Sequence, residues 1–397
     1  MTDGTPGDAQ VALDAWRRLC HTLEALGERL FDDDFPDGPE ERVVALEHLA
    51  GQMLCWTGWS VFHADPRRPR FQRQNDPITP WGGPNADNVY RHARVDPGRR
   101  YRIRGRMHGC EDFLLAVRAG FMHEPKWGTL FQVAGSDLGI GPGDEFELAV
   151  GGDDPGGRWI PLPEDAAMVS FREYYWEWTP DEPAAMTIEC LDDDVDAPTP
   201  RLDAPTLAGR FDAAGAAMGH SVEYWNTYLR EHRAQAVDNV FAERLTFAKG
   251  LAVARYRECF WDLADDEVLL VETDVPPARY WSLHCYDRPT FDLVDPLDRR
   301  ASLNHRQIVV DDDGRVRVVL AREDPGVANW LDTGGRRNGL LTLRWFWATG
   351  DPSPQTRVLH RDELPAALAP GTASVDREAR RADQAARRAH LGWRFRT

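Results

Sequence analysis

Between residues 88 and 191, and again between 251 and 347, the chain is cut into short alternating or wholly apolar segments by clusters of Gly, Pro, Asp and Asn. This rhythm constrains the fold more than any other feature, because it suits strands joined by tight turns and leaves no room for long helices. The first series runs through Val89–Val95, Tyr101–Met107, Phe113–Val117, Thr129–Val133, Phe146–Val150, Ala167–Trp178 and Met186–Leu191. The second runs through Ala252–Phe260, Val268–Thr273, Tyr280–Tyr286, Arg306–Val310, Val316–Leu320 and Leu340–Trp347. Two β-sandwich domains in a mainly β chain are expected, one over 75–191 and one over 251–361. Between them, 192–206 is rich in Asp and Pro with little to bury, which reads as a linker.

Helical patterning frames the strands. Apolar residues recur at helical spacing from Asp8 to Leu30 and from Pro39 to Cys55, so residues 1–60 are read as N-terminal helices. Val222, Trp225, Tyr228 and Leu229 share one helical face within a helical connector over 207–250. The tail, 362–397, ends in a helix from Ser374 to Thr397 with seven arginines against three acids. A solvated surface helix is the expectation, and a docking element for an acidic partner the alternative.

Composition narrows the function. A formal charge of -18 over 397 residues repels polyanions, so nucleic acid is not an expected partner. Six cysteines with no close pair suit reduced thiols, and neither a secretory leader nor an apolar run of membrane-spanning length is seen. A soluble, cytoplasmic protein is expected, free to form homo-oligomers. No strand, Gly-rich turn and helix follow one another, which disfavours nicotinamide and flavin cofactors.

Four blocks in order, Tyr280–Asp287, Asn304–Ile308, Asp324–Thr333 and Leu343–Trp345, resemble the C-terminal signature of the family known as domain of unknown function 1214. The block Gly83–Tyr90, followed by Val95-Asp96 and the Tyr101 segment, resembles the sandwich of domain of unknown function 1254 that accompanies it. The resemblance implies an immunoglobulin-like sandwich first, helices between, and a jelly-roll-like sandwich last, with no established reaction. Where the family pattern often has a histidine after the second glycine of the Trp330 loop, this chain has Arg336, which puts in question any metal held there.

Several residues can carry chemistry. Asn85, Asp87, Asn88 and Tyr90 concentrate hydrogen-bonding groups after a Gly-Gly-Pro turn, where they either clamp the loop or face a ligand. In an extended strand Tyr280, Ser282, His284 and Tyr286 share one face, and Trp281, Leu283 and Cys285 the other, which reads as core. His284 and Cys285 therefore cannot form a catalytic pair with each other. His305, beside Asn304 and Arg306, is the candidate general base or acid, with Asp87 or Asp332 to orient it, unless it is a structural histidine at the start of a strand. Asn329, Trp330 and Arg344 complete the candidate ligand-binding set, with an arginine to hold an anionic group.

A divalent metal is the less favoured option. His284, His305, Asp87 and Asp332 can supply ligands, with His92, His108 and His123 as substitutes, but none has ligand-like spacing. Asp311-Asp312-Asp313-Gly314 reads as a turn rather than a calcium loop. The leading functional reading is an enzyme of small-molecule metabolism doing hydrolysis or proton transfer on a small ligand, anionic or sugar-like. The alternatives are a non-catalytic module for a glycan or other small ligand, which fifteen tryptophans would suit, and a structural scaffold.

Overall fold

The computed structural model describes residues 6–32, 38–179, 181–192 and 201–396, so most of the expected linker, 193–200, lies outside the described residues. The chain divides into two compact units. The first comprises Met1–Gly82, Val89–Tyr174 and Ala184–Tyr228, and the second Gly83–Asn88, Tyr175–Pro183 and Leu229–Thr397. Two short pieces of the first strand-rich region thus group with the second unit.

The first unit opens with helices α1 (Pro6–Asp32) and α2 (Pro39–Thr57), and α2 runs into a π-helical turn at Gly58–Phe62. Its strands are β1 (Gln72–Gln74), β2 (Asn88–Arg94), β3 (Tyr101–Arg106), β4 (Asp112–Gly120), β5 (Gly128–Ala134), β6 (Glu145–Val150), β7 (Trp159–Ile160), β8 (Met168–Tyr174) and β9 (Ala185–Cys190). They form one sheet in the order β1-β2-β8-β4-β5 and a second in the order β7-β6-β3-β9. Phe113 on β4 meets Phe146 on β6 at 5.5 Å between ring centroids, joining the inner faces. On the outer face of β3, Arg102 and Arg104 pair with Glu189 and Glu147 on the flanking strands, so these arginines are spent on exposed cross-strand ion pairs.

Helix α3 (Ala204–Gln235) leads into the second unit, and it stops fifteen residues short of the expected end of the helical connector, at Gly250. Beyond it Leu245 bridges to Tyr256 instead of continuing the helix. The strands here are β10 (Ala254–Asp262), β11 (Glu267–Asp274), β12 (Ala278–Tyr286), β13 (Ser302–Asn304), β14 (Arg315–Ala321), β15 (Trp330–Asp332), β16 (Asn338–Ala348) and β17 (Gln355–His360). They make two four-stranded sheets, β10-β16-β12-β13 and β15-β14-β11-β17, antiparallel except for the β14–β15 pair.

The second core lies between these sheets. Trp281, Leu283 and Cys285 of β12 point into it with Leu341, Leu343 and Trp345 of β16, facing Leu269 and Val271 of β11 and Val316, Val318 and Leu320 of β14. The other side of β11 is apolar too. Val268 and Leu270 pack with Val319, Trp330 and Leu364 in a second cluster, which explains a strand apolar on both faces. Leu283→Ala empties the middle of the main cluster and is expected to cost about 2–5 kcal/mol, read as a lower urea midpoint with an unchanged slope.

Two local expectations are corrected. Residues 306–310 form no strand: β13 ends at Asn304, and His305 to Gln307 make a turn in which the Asn304 side chain accepts from the backbone N–H groups of Arg306 and Gln307. The tail helix α5 (Arg377–Phe395) is no solvated rod. It buries Arg380, Arg387 and Arg394, together with Leu391 and Phe395. These arginines recur every seven residues, two helical turns apart, and so form one stripe.

Candidate functional site

The candidate site is built on the polar face of β12. Antiparallel register sets Ser282 between Arg344 on β16 and Asn304 on β13, and His284 between Thr342 and Ser302. On β10, Tyr256 lies beside Arg344 and Glu258 beside Thr342. Because side chains alternate, one face of this sheet is core and the other a polar layer. That layer is itself buried, with Tyr280, Ser282, His284 and Asn304 having no exposed surface.

Gly83–Asn88 closes over this layer. Asp87 accepts hydrogen bonds from the Tyr280 hydroxyl at 2.6 Å, Asn304 Nδ2 at 2.7 Å and Trp178 Nε1 at 2.9 Å. Asn85 Oδ1 accepts from the backbone N–H of Asp87 at 2.9 Å and lies 3.0 Å from the Tyr280 hydroxyl oxygen. The Tyr280 and Ser282 hydroxyls are 2.8 Å apart, and Ser282 lies 3.2 Å from His284 Nδ1. His284 Nε2 accepts from the backbone N–H of Ala86 at 3.0 Å, which leaves Nδ1 as the protonated nitrogen. The resulting chain runs from a backbone amide through His284, Ser282 and Tyr280 to Asp87. Both ends are occupied by protein, so it fixes positions rather than conducting protons. Beside it, Tyr286 donates to the Pro84 carbonyl at 2.7 Å, and Arg344 donates to the Tyr286 hydroxyl and to the Gly83 carbonyl.

Burial dominates the electrostatics. It raises the Asp87 carboxyl, although the three donors and Arg394 oppose the shift. Burial also pushes His284 well below the ordinary imidazole value, assisted by Arg344 and Arg387, takes His305 down to about 4, and takes His390 down to about 3. Each depressed imidazole is neutral at pH 7, and below its ordinary value near 6.5 the unfolded chain binds protons that the folded one refuses. Their contribution to stability is therefore complete above pH 6.5 and is lost as pH falls toward 4 and below, while Asp87 shifts in the opposite sense. The urea midpoint is expected to drop from pH 7 to pH 5, before most carboxylates titrate. A midpoint flat over that interval contradicts these buried neutral histidines.

Helix α5 brings the arginine stripe to the same corner. Arg394 donates to the Ala86 carbonyl and lies over Tyr175 and Trp178 at 5.2 and 5.1 Å. Arg387 donates to the carbonyl and hydroxyl of Ser302 at 3.0 and 3.1 Å and covers the Trp178 ring at 4.2 Å. Among the described residues no carboxylate is bonded to Arg387 and its Nε has no partner, although Asp383 and Asp87 are near enough to favour its charged form. Burial lowers its pKa to about 9. Arg380 differs, since it is paired with Asp324 at 2.8 Å and lies over Trp330.

The other sequence candidates are distributed unevenly. His305 is half-buried and stands edge-on to Trp176 and Tyr280, at 5.4 and 5.7 Å, with no partner at Nδ1. Arg306 pairs with Glu177 on the surface at 3.4 Å. Asp332 is tied to Arg299 at 3.3 Å and to the Gly334 amide at 2.7 Å, on the sheet across the core from β12. Asn329 bonds Val309 and the Arg317 carbonyl, and Trp330 donates to the Ala321 carbonyl, so both anchor their loop. Asn88 donates its backbone N–H to the Asn85 carbonyl and opens β2, while Tyr90 lies in the first unit with Arg172 over its ring at 5.2 Å. Arg336 pairs with Asp287. Among the described residues no group of three or more His, Cys, Asp or Glu side chains is placed to hold a metal ion.

Sequence reasoning left Trp178, Arg387 and Arg394 out of the set. The seven-residue spacing of the arginines was their one readable signal.

Comparison with known proteins gives the fold a wider setting. Residues 262–350 match the family described as a protein of unknown function (DUF1214), a span that holds all four C-terminal blocks. A crystal structure of an uncharacterized protein from Burkholderia cenocepacia is similar over 91% of this chain and 100% of that one, with a TM-score of 0.80 and 27% identity. A protein from Vibrio parahaemolyticus is 12% identical over 78% of this chain and 97% of that one, with a TM-score of 0.46. No curated protein matches. No helix among the described residues is long and apolar enough to cross a membrane.

Proposed function

We propose that the second unit is an enzyme of small-molecule metabolism, binding a carboxylate-bearing anion at the Arg387 corner and moving a proton at His305. The first sandwich belongs to the same reading as a relative of domain of unknown function 1254, on the Gly83–Tyr90 block and the Tyr101 segment. The observation that carries the reading is Arg387, a buried guanidinium with no carboxylate bonded to it and an unfilled Nε. Burying an unpaired charge costs several kcal/mol unless something offsets it. An anion accepting from the Arg387 fork supplies that offset, and a carboxylate fits the fork's geometry. His305 suits proton transfer because it is neutral at pH 7 and half-buried, with a buried Nδ1 that has no partner among the described residues. Asp87 has its oxygens filled by three donors and is a positioning residue.

The saturation of Asp87 also favours a second reading, a binding module that holds the anion without changing it. The test of binding is calorimetric titration with acetate, malonate, succinate and a phosphate monoester, on the protein and on Arg387→Met. At least one acid is expected to bind one to one and to lose at least about tenfold in affinity in the variant. Thermal melting checks that the variant is folded, since Arg387→Met removes a buried charge but also two hydrogen bonds to Ser302 and the contact with Trp178. Equal affinity in both proteins overturns the anion site.

A further inference from the structure

Helix α2 is apolar on two sides. One side, with Ala45, Leu49, Cys55 and Trp56, is buried. The other faces solvent: Val43 is 66% exposed, Leu46 39%, Met53 38% and Leu54 54%, with the exposed Ala50 among them. These positions recur at three- and four-residue intervals, so they form one row along the helix, interrupted only by Glu47.

The π-helical turn extends the row. At α-helical spacing Val61, about five full turns from Val43, would come next on this side. In the wider turn at Gly58–Phe62, closed by the His63 N–H on the Gly58 carbonyl, Val61 is buried and Phe62 is 73% exposed. The extra residue brings a phenyl ring, in place of valine, to the end of the apolar row.

A helix that is apolar all round reads as an interior helix, yet this row lies on the surface of the chain. Single exposed hydrophobics need no explanation, whereas a contiguous row marks an interface. Two features point to a second copy of the chain as what covers it. The row is close to palindromic about Ala50, with Leu46 and Leu54 four residues to either side and Val43 and Thr57 seven. A two-fold axis through Ala50 therefore sets Leu46 of one copy against Leu54 of the other, with the small Ala50 at the crossing. The charges run the same way. Glu40 and Glu41 open the helix and Arg68 and Arg70 follow its π turn, so antiparallel pairing brings the acidic end of each copy to the basic end of the other. An anionic membrane is a poorer match, because α2 itself carries three acids against one arginine. Covering the row on both copies removes on the order of 1,000 Å² from water, the size at which specific interfaces begin.

We propose that two copies of the chain form a two-fold dimer through this row, α2 packing antiparallel on α2 and crossing at Ala50.

The test is sedimentation velocity on the full chain at about 50 μM, well above a micromolar Kd. The parent is expected at twice the 44.9 kDa of one chain, and Leu54→Glu at the mass of one. Leu54 is exposed in the single chain, so the variant should keep the parent's circular dichroism spectrum. Phe62→Ser provides the same readout if the first variant does not fold. Ala50→Cys in a Cys20→Ser background tests the crossing point, because the other five cysteines are buried. Mild oxidation is expected to link most of these chains in pairs through residue 50. A parent that sediments as one chain overturns the proposal, as does a dimer that survives in the folded variant. A dimer that oxidation of Ala50→Cys leaves unlinked overturns the antiparallel crossing.

Discussion

Replacing Asp87 with alanine is expected to cost the protein about 3–5 kcal/mol. Three donors from Tyr280, Asn304 and Trp178 converge on this carboxylate, and alanine strands them where water does not reach. Tyr280 can turn to Asn85 Oδ1 and Asn304 Nδ2 keeps the Trp176 carbonyl, but Trp178 Nε1 is left with no acceptor among the described residues. Asp87→Asn retains an acceptor and the shape and removes a buried charge, so its expected loss is below about 2 kcal/mol. Urea denaturation of the two variants separates the terms. Equal losses would mean that the charge, facing Arg394, does the stabilising rather than the hydrogen bonds.

His305→Gln is expected to lower turnover of the acid by about 10²–10⁴-fold while leaving its affinity within a few fold. Glutamine keeps a hydrogen-bonding group near Trp176 and Tyr280 but cannot take a proton. With His305 near 4, the basic form is present throughout the neutral range, so kcat/KM should stay level from pH 8 to about 5 and fall as pH drops through about 4. A fall centred on the ordinary imidazole value near 6.5 would place the proton acceptor elsewhere.

Much of the second sandwich was legible because it rests on local alternation. In Tyr280–Tyr286 the period of two separates Trp281, Leu283 and Cys285, which enter the core, from Tyr280, Ser282, His284 and Tyr286. The four resemblance blocks lie within the span that matches the family. The site was legible only as a list of polar residues. Asp87 meets Tyr280 across 193 positions and Asn304 across 217, and no local pattern encodes such contacts. Asp332 shared the residue type of Asp87 but sits on the opposing sheet, bonded to Arg299.

The tail misled for a different reason. Net composition made it a basic, solvated helix, whereas the seven-residue spacing of Arg380, Arg387 and Arg394 put three guanidinium groups on one buried stripe. Arginine can be buried this way when aromatic faces and carbonyls receive it, as Trp178, Trp330 and Ser302 do here.

Proton NMR distinguishes a second unit that transforms a bound acid from one that merely holds it. The acid selected by calorimetry is followed in D2O with the parent protein and with His305→Gln. Time-dependent exchange or conversion of the acid's carbon-bound protons is expected with the parent, and none above background with the variant. A spectrum unchanged by saturating parent protein, or one changed equally by both proteins, contradicts that expectation.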